Sequence, residues 1–266
     1  MVNVIRQYKI IAKKADIILV SSPTFFSVIS AYLLSKMYKK PFIFEVRDLW
    51  PAVFKDLAII KNRFLLYVLE KIEFFLYKKS IKIVTVTNSF TENIIKRGLP
   101  EKKVITITNG VNTKLFRPMP KDKSLIKSLN LDGKFIVLYL GAHGISHGLT
   151  SIINVAENLQ HMGKIHFLFV GDGAKKENLE LMVTEKKIKN VSFLTSQPKE
   201  SIPNYYSISD AVLVPLKDIP LFDQFIPSKI FEIMAMGKPI IASVRGEASD
   251  ILKKSKGAII CEPENI

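Results

Sequence analysis

The sequence predicts an α/β protein built from two doubly wound parallel-sheet domains. Short apolar segments typical of buried strands alternate with helical segments along the whole chain. The length of 266 residues exceeds the usual size of a single domain. A turn rich in Asn and Gly at 108–112 and a basic, polar run at 118–130 interrupt the strand pattern before it resumes. We therefore expect one domain over residues 1–118 and a second over residues 119–266.

The composition is that of an ordinary globular protein, with 48% hydrophobic and 24% charged residues. The single cysteine, Cys261, excludes an intramolecular disulfide framework, argues against a cysteine metal cluster and suits a reducing compartment. No signal peptide opens the chain, and no apolar run reaches the ~18 residues that a membrane span needs. The sequence therefore predicts a cytoplasmic protein.

The positive charge is concentrated in the first domain. The net charge is +15, and residues 1–118 carry 21 Lys and Arg against 8 Asp and Glu, whereas residues 119–266 carry 18 against 16. A basic half attracts anionic partners such as nucleic acid, acidic lipid headgroups or pyrophosphates. A solvated basic face is the simpler interpretation. Because the chain has no recognised nucleic-acid-binding motif, we do not expect nucleic acid as a partner.

The first domain is predicted to begin with a helix and then alternate strands and helices. The predicted helices are 3–15, 25–38, 62–79 and 88–97, the last capped by Asn88 and Ser89, and the predicted strands are 16–20, 42–46, 81–87 and 104–108. Ligands of such sheets gather beyond the carboxyl ends of the strands, which nominates Ser21, Ser22, Arg47 and Asp48. Such domains normally open with a strand and a glycine-rich turn, so we expect roughly the first two strands to be missing.

Two stretches of the first domain leave alternatives open. Residues 45–51 read Glu-Val-Arg-Asp-Leu-Trp-Pro, and their charges either pair with each other or await a ligand, since unpaired charges are costly to bury. The predicted helix 62–79 has a wide apolar stripe and basic ends. It is either a buried crossover helix or a helix partly exposed for docking on a membrane surface.

The second domain is predicted to place two glycine-rich turns after buried strands. Its predicted strands are 135–140, 165–170, 191–194, 211–215, 240–243 and 257–261, with a helix over 149–162 and another opened by Gly246. Residues 205–210 are read as leading into the strand 211–215. The turns 141–148 and 171–173 follow strands, where glycine lets the backbone approach a phosphate closely. They are candidates for a nucleotide site.

The stretch 225–243 predicts a loop, a short helix, a tight turn and a buried strand. Ser228 is the expected N-cap, and Gly237 and Pro239 end the helix. The N-terminus of a helix favours the binding of an anion, above all phosphate, because its backbone N–H groups are free and it carries a partial positive charge. Lys229 and Glu232 are three residues apart on one helical face, so we expect a cation and a carboxylate at the entrance of the same binding site. Together they suit a ligand that has both a phosphate and a sugar hydroxyl.

Residues 224–243 resemble the donor-nucleotide motif of family 4 glycosyltransferases, in which seven residues separate two carboxylates. Glu232 matches the second carboxylate, and Gln224 stands at the position of the first. The resemblance implies that Glu232 holds the ribose hydroxyls and that Ser228 and Lys229 contact phosphate. Gln224 would contact the donor sugar without bringing a charge.

Two further stretches resemble the same family. Residues 45–51 resemble the acceptor-side loop of a subgroup that builds bacterial O-antigens, capsules and exopolysaccharides, with Arg47 where many relatives have histidine. Arg47 would then stabilise charge on the departing diphosphate or position the acceptor, and Asp48 is the better-placed carboxylate. Residues 108–118 resemble the signature that joins the two domains of the family. Ser22, Trp50 and Asn109 are the predicted acceptor-side residues.

The family usually carries an Arg and a Lys in the first glycine-rich turn, at positions occupied here by Ala142 and His147. We expect His147 to titrate near neutrality and Lys229 to carry the remaining positive charge. Relatives place the nucleotide base after the strand 191–194, near Gln197. The predicted donor-binding residues are Gly141, His143, Gly144, His147, Gly171, Gly173, Gln197, Gln224, Pro227, Ser228, Lys229 and Glu232.

The resemblance implies the GT-B fold, two such domains facing each other across a cleft, and a retaining sugar transfer from a nucleotide-sugar donor to a lipid-linked or oligosaccharide acceptor. Arg47, Asp48 and Glu232 would be catalytic, with no cofactor and no metal. The location would be the inner face of the membrane, bound peripherally to its anionic surface. The chain also resembles a family member shortened at both ends. The alternatives are a nucleotide-sugar 2-epimerase of the same architecture and a non-enzymatic nucleic-acid-binding protein.

Overall fold

The computed structural model describes residues 2–265, and for residues 2–4 only the backbone. The chain divides into two compact units. The first comprises the residues up to Asn109 together with Gln224–Ile226, and the second begins at Gly110. The sequence placed the division after residue 118. The difference arises because Phe116 is buried in the second unit, with its ring centroid 6.2 Å from that of Tyr206.

The first unit is a four-stranded parallel sheet with the strands in chain order. Its strands are β1 (Ile18–Ser21), β2 (Phe42–Val46), β3 (Lys82–Thr85) and β4 (Val104–Thr106), and its helices are α1 (Val2–Lys14), α2 (Phe25–Tyr38), α3 (Ala52–Asp56), α4 (Arg63–Lys79) and α5 (Asn88–Lys96). Because right-handed crossovers between sequential strands place their helices on one side, this sheet buries one face. Phe42, Phe44, Val46 and Ile83 form that buried face.

Helix α4 buries one side and exposes large apolar residues on the other, so it combines features of both interpretations of its apolar stripe. Asn62 caps its first turn by accepting a hydrogen bond from the Leu65 N–H at 3.0 Å. Its buried side includes Glu73, whose carboxylate accepts hydrogen bonds from the Tyr77 hydroxyl at 2.7 Å and from Nη2 of Arg97 at 2.5 Å. Burial raises the pKa of Glu73, and Arg97 opposes that shift. No helix among residues 2–265 is long and apolar enough to cross a membrane.

The second unit is a six-stranded parallel sheet with the order β10-β9-β8-β5-β6-β7. Its strands are β5 (Phe135–Leu140), β6 (Ile165–Val170), β7 (Val191–Leu194), β8 (Ala211–Pro215), β9 (Ile240–Ser243) and β10 (Ala258–Cys261), and its helices are α6 (Lys123–Ser128), α7 (Leu149–Asn158), α8 (Lys176–Glu185), α9 (Ile202–Ile208), α10 (Lys229–Ala235) and α11 (Gly246–Ser255). The order reverses between β5 and β8. Ligands of open α/β sheets bind beyond the strand ends at this reversal.

The predicted parallel α/β architecture is confirmed, and several local predictions need correction. Residues 205–210, read as the approach to a strand, lie largely in helix α9, where Tyr205, Tyr206 and Ile208 are all buried. Two tyrosines followed by Ser207, Ile208 and Ser209 give neither a clear helical nor a clear strand period, so tertiary burial decides the structure. Thr87, rather than Asn88 and Ser89, caps α5 by accepting from the Phe90 N–H at 3.0 Å. Helices α3, α6 and α8 are not among the predicted elements.

Candidate functional site

The two glycine-rich turns of the second unit pack backbone against backbone at the carboxyl ends of β5 and β6. The Gly141 N–H donates to the Val170 carbonyl at 3.0 Å, and the His143 N–H donates to the Asp172 carbonyl at 2.9 Å. Gly171 has φ +144°, and a Cβ on it would lie 2.0 Å from the Gly141 carbonyl oxygen. The two turns are therefore packed against each other. This packing by itself requires glycine at position 171, whether or not a ligand binds.

A pocket of about 260 Å³ opens beside these turns. Gln197 and Ser196 contribute to its wall after β7, and the full lining is Leu140, Gly141, Ala142, Val170, Gly171, Asp172, Ser196, Gln197 and Ile202. Asp172 organises this wall, since its Oδ2 accepts from the Ser196 N–H at 2.6 Å and its Oδ1 accepts from Nζ of Lys176 at 3.0 Å. The hydrogen bonds from Ser196 and Lys176 lower the pKa of Asp172 to about 2.

Lys229 presents a buried ammonium group. Among the residues that the structure describes, its Nζ has no hydrogen-bond partner. The Nζ lies 4.2 Å from the centroid of the Tyr139 ring, and a Cβ on Gly141 would be 2.7 Å from it. Burial lowers the pKa of Lys229 to about 8, with the charge of Glu232 acting in the opposite direction. A cation without a partner is the group that an anionic ligand would satisfy.

His143 and His147 flank the same tyrosine. Their rings lie 5.7 and 6.1 Å from the Tyr139 ring, centroid to centroid. His143 is fully buried, and within residues 2–265 neither of its ring nitrogens has a hydrogen-bond partner. Burial, with a contribution from nearby lysine charges, lowers the pKa of each histidine to about 4. The expectation that His147 titrates near neutrality is therefore wrong, because burial keeps its ring uncharged at pH 7.

Ser228 does not cap helix α10, contrary to the prediction. Its backbone angles, φ −57° and ψ −26°, are already helical, and its side chain makes no capping hydrogen bond. The reason is that the turn starts earlier, as the Ile230 N–H donates to the Pro227 carbonyl at 3.0 Å. Ser228 is exposed and Pro227 is half-buried, so both stay accessible at the beginning of the helix.

Glu232 lies one turn into α10 and is half-buried. Its Oε2 accepts a hydrogen bond of 3.3 Å from the hydroxyl of Tyr206. Burial raises the pKa of Glu232, opposed first by the Tyr206 hydrogen bond and then by Lys199 and Lys229. Gln224, in contrast, belongs to the first unit, where its Oε1 accepts from Nδ2 of Asn93 at 3.2 Å.

In the first unit, Ser22 brings the ends of β1 and β2 together. Its buried Oγ accepts the N–H groups of Arg47 at 2.9 Å and Asp48 at 3.3 Å. The charged residues of the stretch 45–51 lie in different environments. Glu45 accepts a hydrogen bond from the Ser21 hydroxyl, and Arg47 is exposed. Burial raises the pKa of Asp48, and the charge of Arg47 opposes that shift. An exposed cation and a half-buried carboxylate thus stand side by side.

The other predicted acceptor-side residues differ in their surroundings. The Trp50 ring stacks on Phe25, with centroids 4.0 Å apart and planes at 23°, so much of the indole is used in packing. Asn109 is half-buried in the irregular segment after β4. Sequence reasoning missed Tyr139 and Tyr206. The signal for Tyr139 was a tyrosine inside an apolar run, since a buried hydroxyl usually has a polar partner. Tyr206 lies between polar residues, Asn204 and Ser207, and gave no such signal.

These features place a pocket, a buried ammonium group and two glycine-rich turns at the carboxyl ends of a parallel α/β sheet, and comparison with known proteins gives the family. Residues 121–266 match the family model "Glycosyl transferases group 1", and residues 1–115 match the model "Glycosyltransferase Family 4". The chain belongs to the group 1 glycosyltransferases of family 4.

Two curated relatives show how far the similarity extends. WcaI of Escherichia coli K12, named as a colanic acid biosynthesis glycosyl transferase, is 29% identical over 190 residues, which cover 69% of this chain and 46% of WcaI. The alpha-galactosylglucosyldiacylglycerol synthase of Streptococcus pneumoniae is 26% identical over 186 residues, covering 67% of this chain and 48% of the relative. The chain therefore spans about half the length of these relatives.

Solved structures agree on the fold. The crystal structure of Anabaena HepE in complex with UDP and glucose has a TM-score of 0.80 at 18% identity, covering 99% of this chain and 68% of HepE. Sucrose-phosphate synthase from Thermosynechococcus elongatus has a TM-score of 0.74 at 19% identity, covering 95% of this chain and 62% of the synthase. Both are GT-B proteins, and the GT-B fold class predicted from the sequence is confirmed.

Proposed function

We propose that this chain takes part in a retaining sugar transfer from a nucleoside diphosphate sugar to a glycan acceptor of cell-surface polysaccharide or glycolipid synthesis. One observation carries the proposal. The buried ammonium of Lys229 lacks a hydrogen-bond partner among the described residues, and it lies against the glycine-rich turn that follows β5. That turn stands at the reversal of strand order, where open α/β sheets bind ligands.

The donor is assigned to three neighbouring features of the second unit. Lys229 binds the diphosphate, and Glu232 accepts hydrogen bonds from the ribose hydroxyls, oriented by Tyr206. The pocket beside Gln197 takes the base, with backbone groups reading it. HepE was crystallised with UDP and UDP-glucose, which makes uridine nucleotides the first ones to test.

The acceptor side is assigned to the ends of β1 and β2. The guanidinium of Arg47 offers hydrogen-bond donors and no acceptor, so its assigned role is to stabilise negative charge rather than to act as a base. Asp48 is the neighbouring carboxylate, and its half-buried position favours interaction with an acceptor hydroxyl. We further propose that this transfer needs neither metal nor cofactor, since Lys229 supplies the positive charge for the leaving diphosphate.

The lipid-linked acceptor and the peripheral membrane location are supported by the surface of α4. Phe64 and Tyr67 near its start are 75% and 56% exposed. Cations accompany them, with Arg63 in the same turn and Nζ of Lys71 5.1 Å from the Tyr67 ring centroid. Exposed aromatic side chains next to cations favour an anionic bilayer surface. Binding to phosphatidylglycerol vesicles that is lost in Phe64→Glu, with no binding to phosphatidylcholine vesicles, would support this location.

The donor assignment is tested by titrating nucleotide sugars and UDP into the wild-type chain and into Glu232→Ala by calorimetry. We expect the variant to bind at least ~10-fold more weakly, because it loses a charge-assisted hydrogen bond. Glu177→Ala, on the exposed first turn of α8, is the matched control and should bind like the wild type. Absence of nucleotide binding, or equal binding by Glu232→Ala, would refute the assignment. Conversion of a nucleotide sugar to its 2-epimer without acceptor would identify an epimerase instead.

A further inference from the structure

Lys229 keeps a buried positive charge without using its hydrogen-bond donors. An ammonium group has three donors, and in the described part of the chain Nζ of Lys229 finds no acceptor for them. Glu232, the carboxylate on the same helix, instead accepts from Tyr206. Among residues 5–265, the titratable groups that face Lys229 from other elements are Tyr139, His143 and His147, and none of them is an anion at pH 7.

Tyr139, near the end of β5, and Gly141, in the turn that follows, determine where this ammonium lies. The Tyr139 ring centroid is 4.2 Å from Nζ, which is within the range of a cation–π interaction. Gly141 provides the space, because a side chain there would begin 2.7 Å from Nζ. The hydroxyl of Tyr139 donates to the Ala142 carbonyl at 2.6 Å, so the same ring is attached to the turn. Tyr139 thus joins the lysine and the turn.

An aromatic face differs from the other partners that a buried lysine can have. A carboxylate would neutralise the charge, and carbonyl oxygens would occupy the donors. The ring quadrupole attracts the cation but offers no oxygen acceptor, so N–H groups of the ammonium are left for a ligand. An ammonium held in this way is charged, desolvated and ready to donate to phosphate oxygens.

We propose that Tyr139 is a positioning residue for the transfer reaction, its ring holding the Lys229 ammonium against Gly141 so that the ammonium donates to the donor diphosphate. This inference rests on the proposed function. Tyr139 does not touch the reacting atoms and acts through Lys229. The role is specific to the ring, since the hydroxyl serves the turn and not the lysine.

A double-mutant cycle tests the role of Tyr139. The affinities for UDP and for inorganic pyrophosphate are measured by calorimetry in the wild type, Tyr139→Leu, Lys229→Met and the double variant, with Tyr139→Phe as the conservative variant. We expect Tyr139→Leu to weaken binding about tenfold and Tyr139→Phe to stay within about threefold, because Phe keeps the aromatic face. In the Lys229→Met background, Tyr139→Leu should change the affinity less than about twofold. Thermal melting of each variant establishes that it is folded.

The outcomes separate the two proposals. If Tyr139→Leu weakens binding by the same factor in both backgrounds, or if Tyr139→Phe is as weak as Tyr139→Leu, the ring does not act through Lys229 and the inference fails while the donor site stands. If Tyr139→Leu binds like the wild type, the inference fails in the same way. If the wild-type chain binds neither UDP nor pyrophosphate, Lys229 serves no phosphate and both proposals fall.

Discussion

The hydroxyl of Tyr206 lies 3.3 Å from Oε2 of Glu232 and links helix α9 to helix α10. Tyr206 is fully buried, whereas Glu232 is half-buried, so the contact fixes the carboxylate from its inner side. One carboxylate oxygen is held in this way and the other can accept from a ligand. In the proposed donor site that ligand group is a ribose hydroxyl.

Replacing Tyr206 by Phe should weaken UDP binding by about 3- to 10-fold, because the Glu232 carboxylate loses the hydrogen bond that orients it. The measurement is calorimetric titration with UDP. Tyr205→Phe, one residue earlier on the same helix, is the matched control and should leave the affinity unchanged. Equal affinities for Tyr206→Phe and the wild type would contradict a positioning role for this hydroxyl.

His143 and His147 should remain neutral throughout the physiological range. Their pKa values are lowered to about 4, chiefly by burial, so neither imidazole gains a proton between pH 8 and pH 6. Proton NMR of the imidazole Cε1–H signals tests this directly, since the chain has four histidines. His143→Gln and His147→Gln identify which signals belong to these residues. A midpoint above pH 6 for either signal would show that its ring is solvated.

UDP affinity should fall as the pH rises through about 8. The folded-state pKa of Lys229 is lowered to about 8, so above this value the site loses the charge that attracts the diphosphate. The diphosphate of UDP keeps a constant charge over this range, because its terminal phosphate ionises near a pKa of about 6. Calorimetry between pH 7 and pH 9.5 measures the effect. Lys229→Arg should remove the pH dependence, since arginine stays protonated, and a wild-type affinity independent of pH would refute the assignment.

Arg97→Ala should destabilise the protein by about 3 kcal/mol at pH 7, because it leaves the buried Glu73 carboxylate without its cation. The loss should shrink as the pH falls towards 5. Burial already raises the pKa of Glu73 in the folded state, and without Arg97 that pKa rises further. The stability of Arg97→Ala is therefore retained below the pKa that Glu73 has in the unfolded chain. It is lost as the pH rises through the pKa that Glu73 has in the folded protein.

Urea unfolding at pH 5 and pH 7 measures this difference. Lys96→Ala, one residue earlier at the end of α5, is the control, since the pair of Lys96 with Glu92 is exposed and should contribute little. A destabilisation by Arg97→Ala that is equally small at both pH values would show that Glu73 does not depend on Arg97.

Gly171→Ala should destabilise the second unit by more than about 3 kcal/mol and abolish nucleotide binding. Its φ of +144° disfavours a side chain, and the added Cβ would overlap the Gly141 carbonyl oxygen. Urea unfolding and UDP titration measure the two effects. Gly110→Ala is the control, because a Cβ there meets no atom within 4 Å and φ is not in the left-handed region. A stable, binding Gly171→Ala would show that the turns can separate without loss.

The local sequence pattern predicted many strands and helices well. Strands β2, β5, β6, β7, β8 and β9 and helix α2 have the predicted limits, because each is a bounded apolar run with a clear turn at its end. The predictions failed where capping or burial decided. Ser228 was expected to cap α10, but its own backbone angles are already helical. Tyr205 and Tyr206 were expected to lead into a strand, but they lie in helix α9 with their side chains buried.

The structure shows where the predicted site residues lie, whereas their roles in donor and acceptor binding stay predictions. The structure gathers Gly141, His143, His147 and Lys229 around Tyr139, and puts Gly171 and Gln197 along one pocket. Ser22, Arg47 and Asp48 meet at the ends of β1 and β2. Gln224 contacts Asn93 in the first unit instead of the residues around Lys229.

The sequence by itself determined the α/β class, the positions of the glycine-rich turns and the residue types that can meet a nucleotide, because these depend on periodicity and on backbone freedom along the chain. The tertiary structure alone decided which side chains are charged and which are fixed by contacts with other elements. His147 is neutral because it is buried, and within residues 2–265 the Lys229 ammonium meets a tyrosine ring from another element and no hydrogen-bond acceptor. Desolvation and contacts between distant segments set both properties, and neither leaves a periodic signal in the sequence.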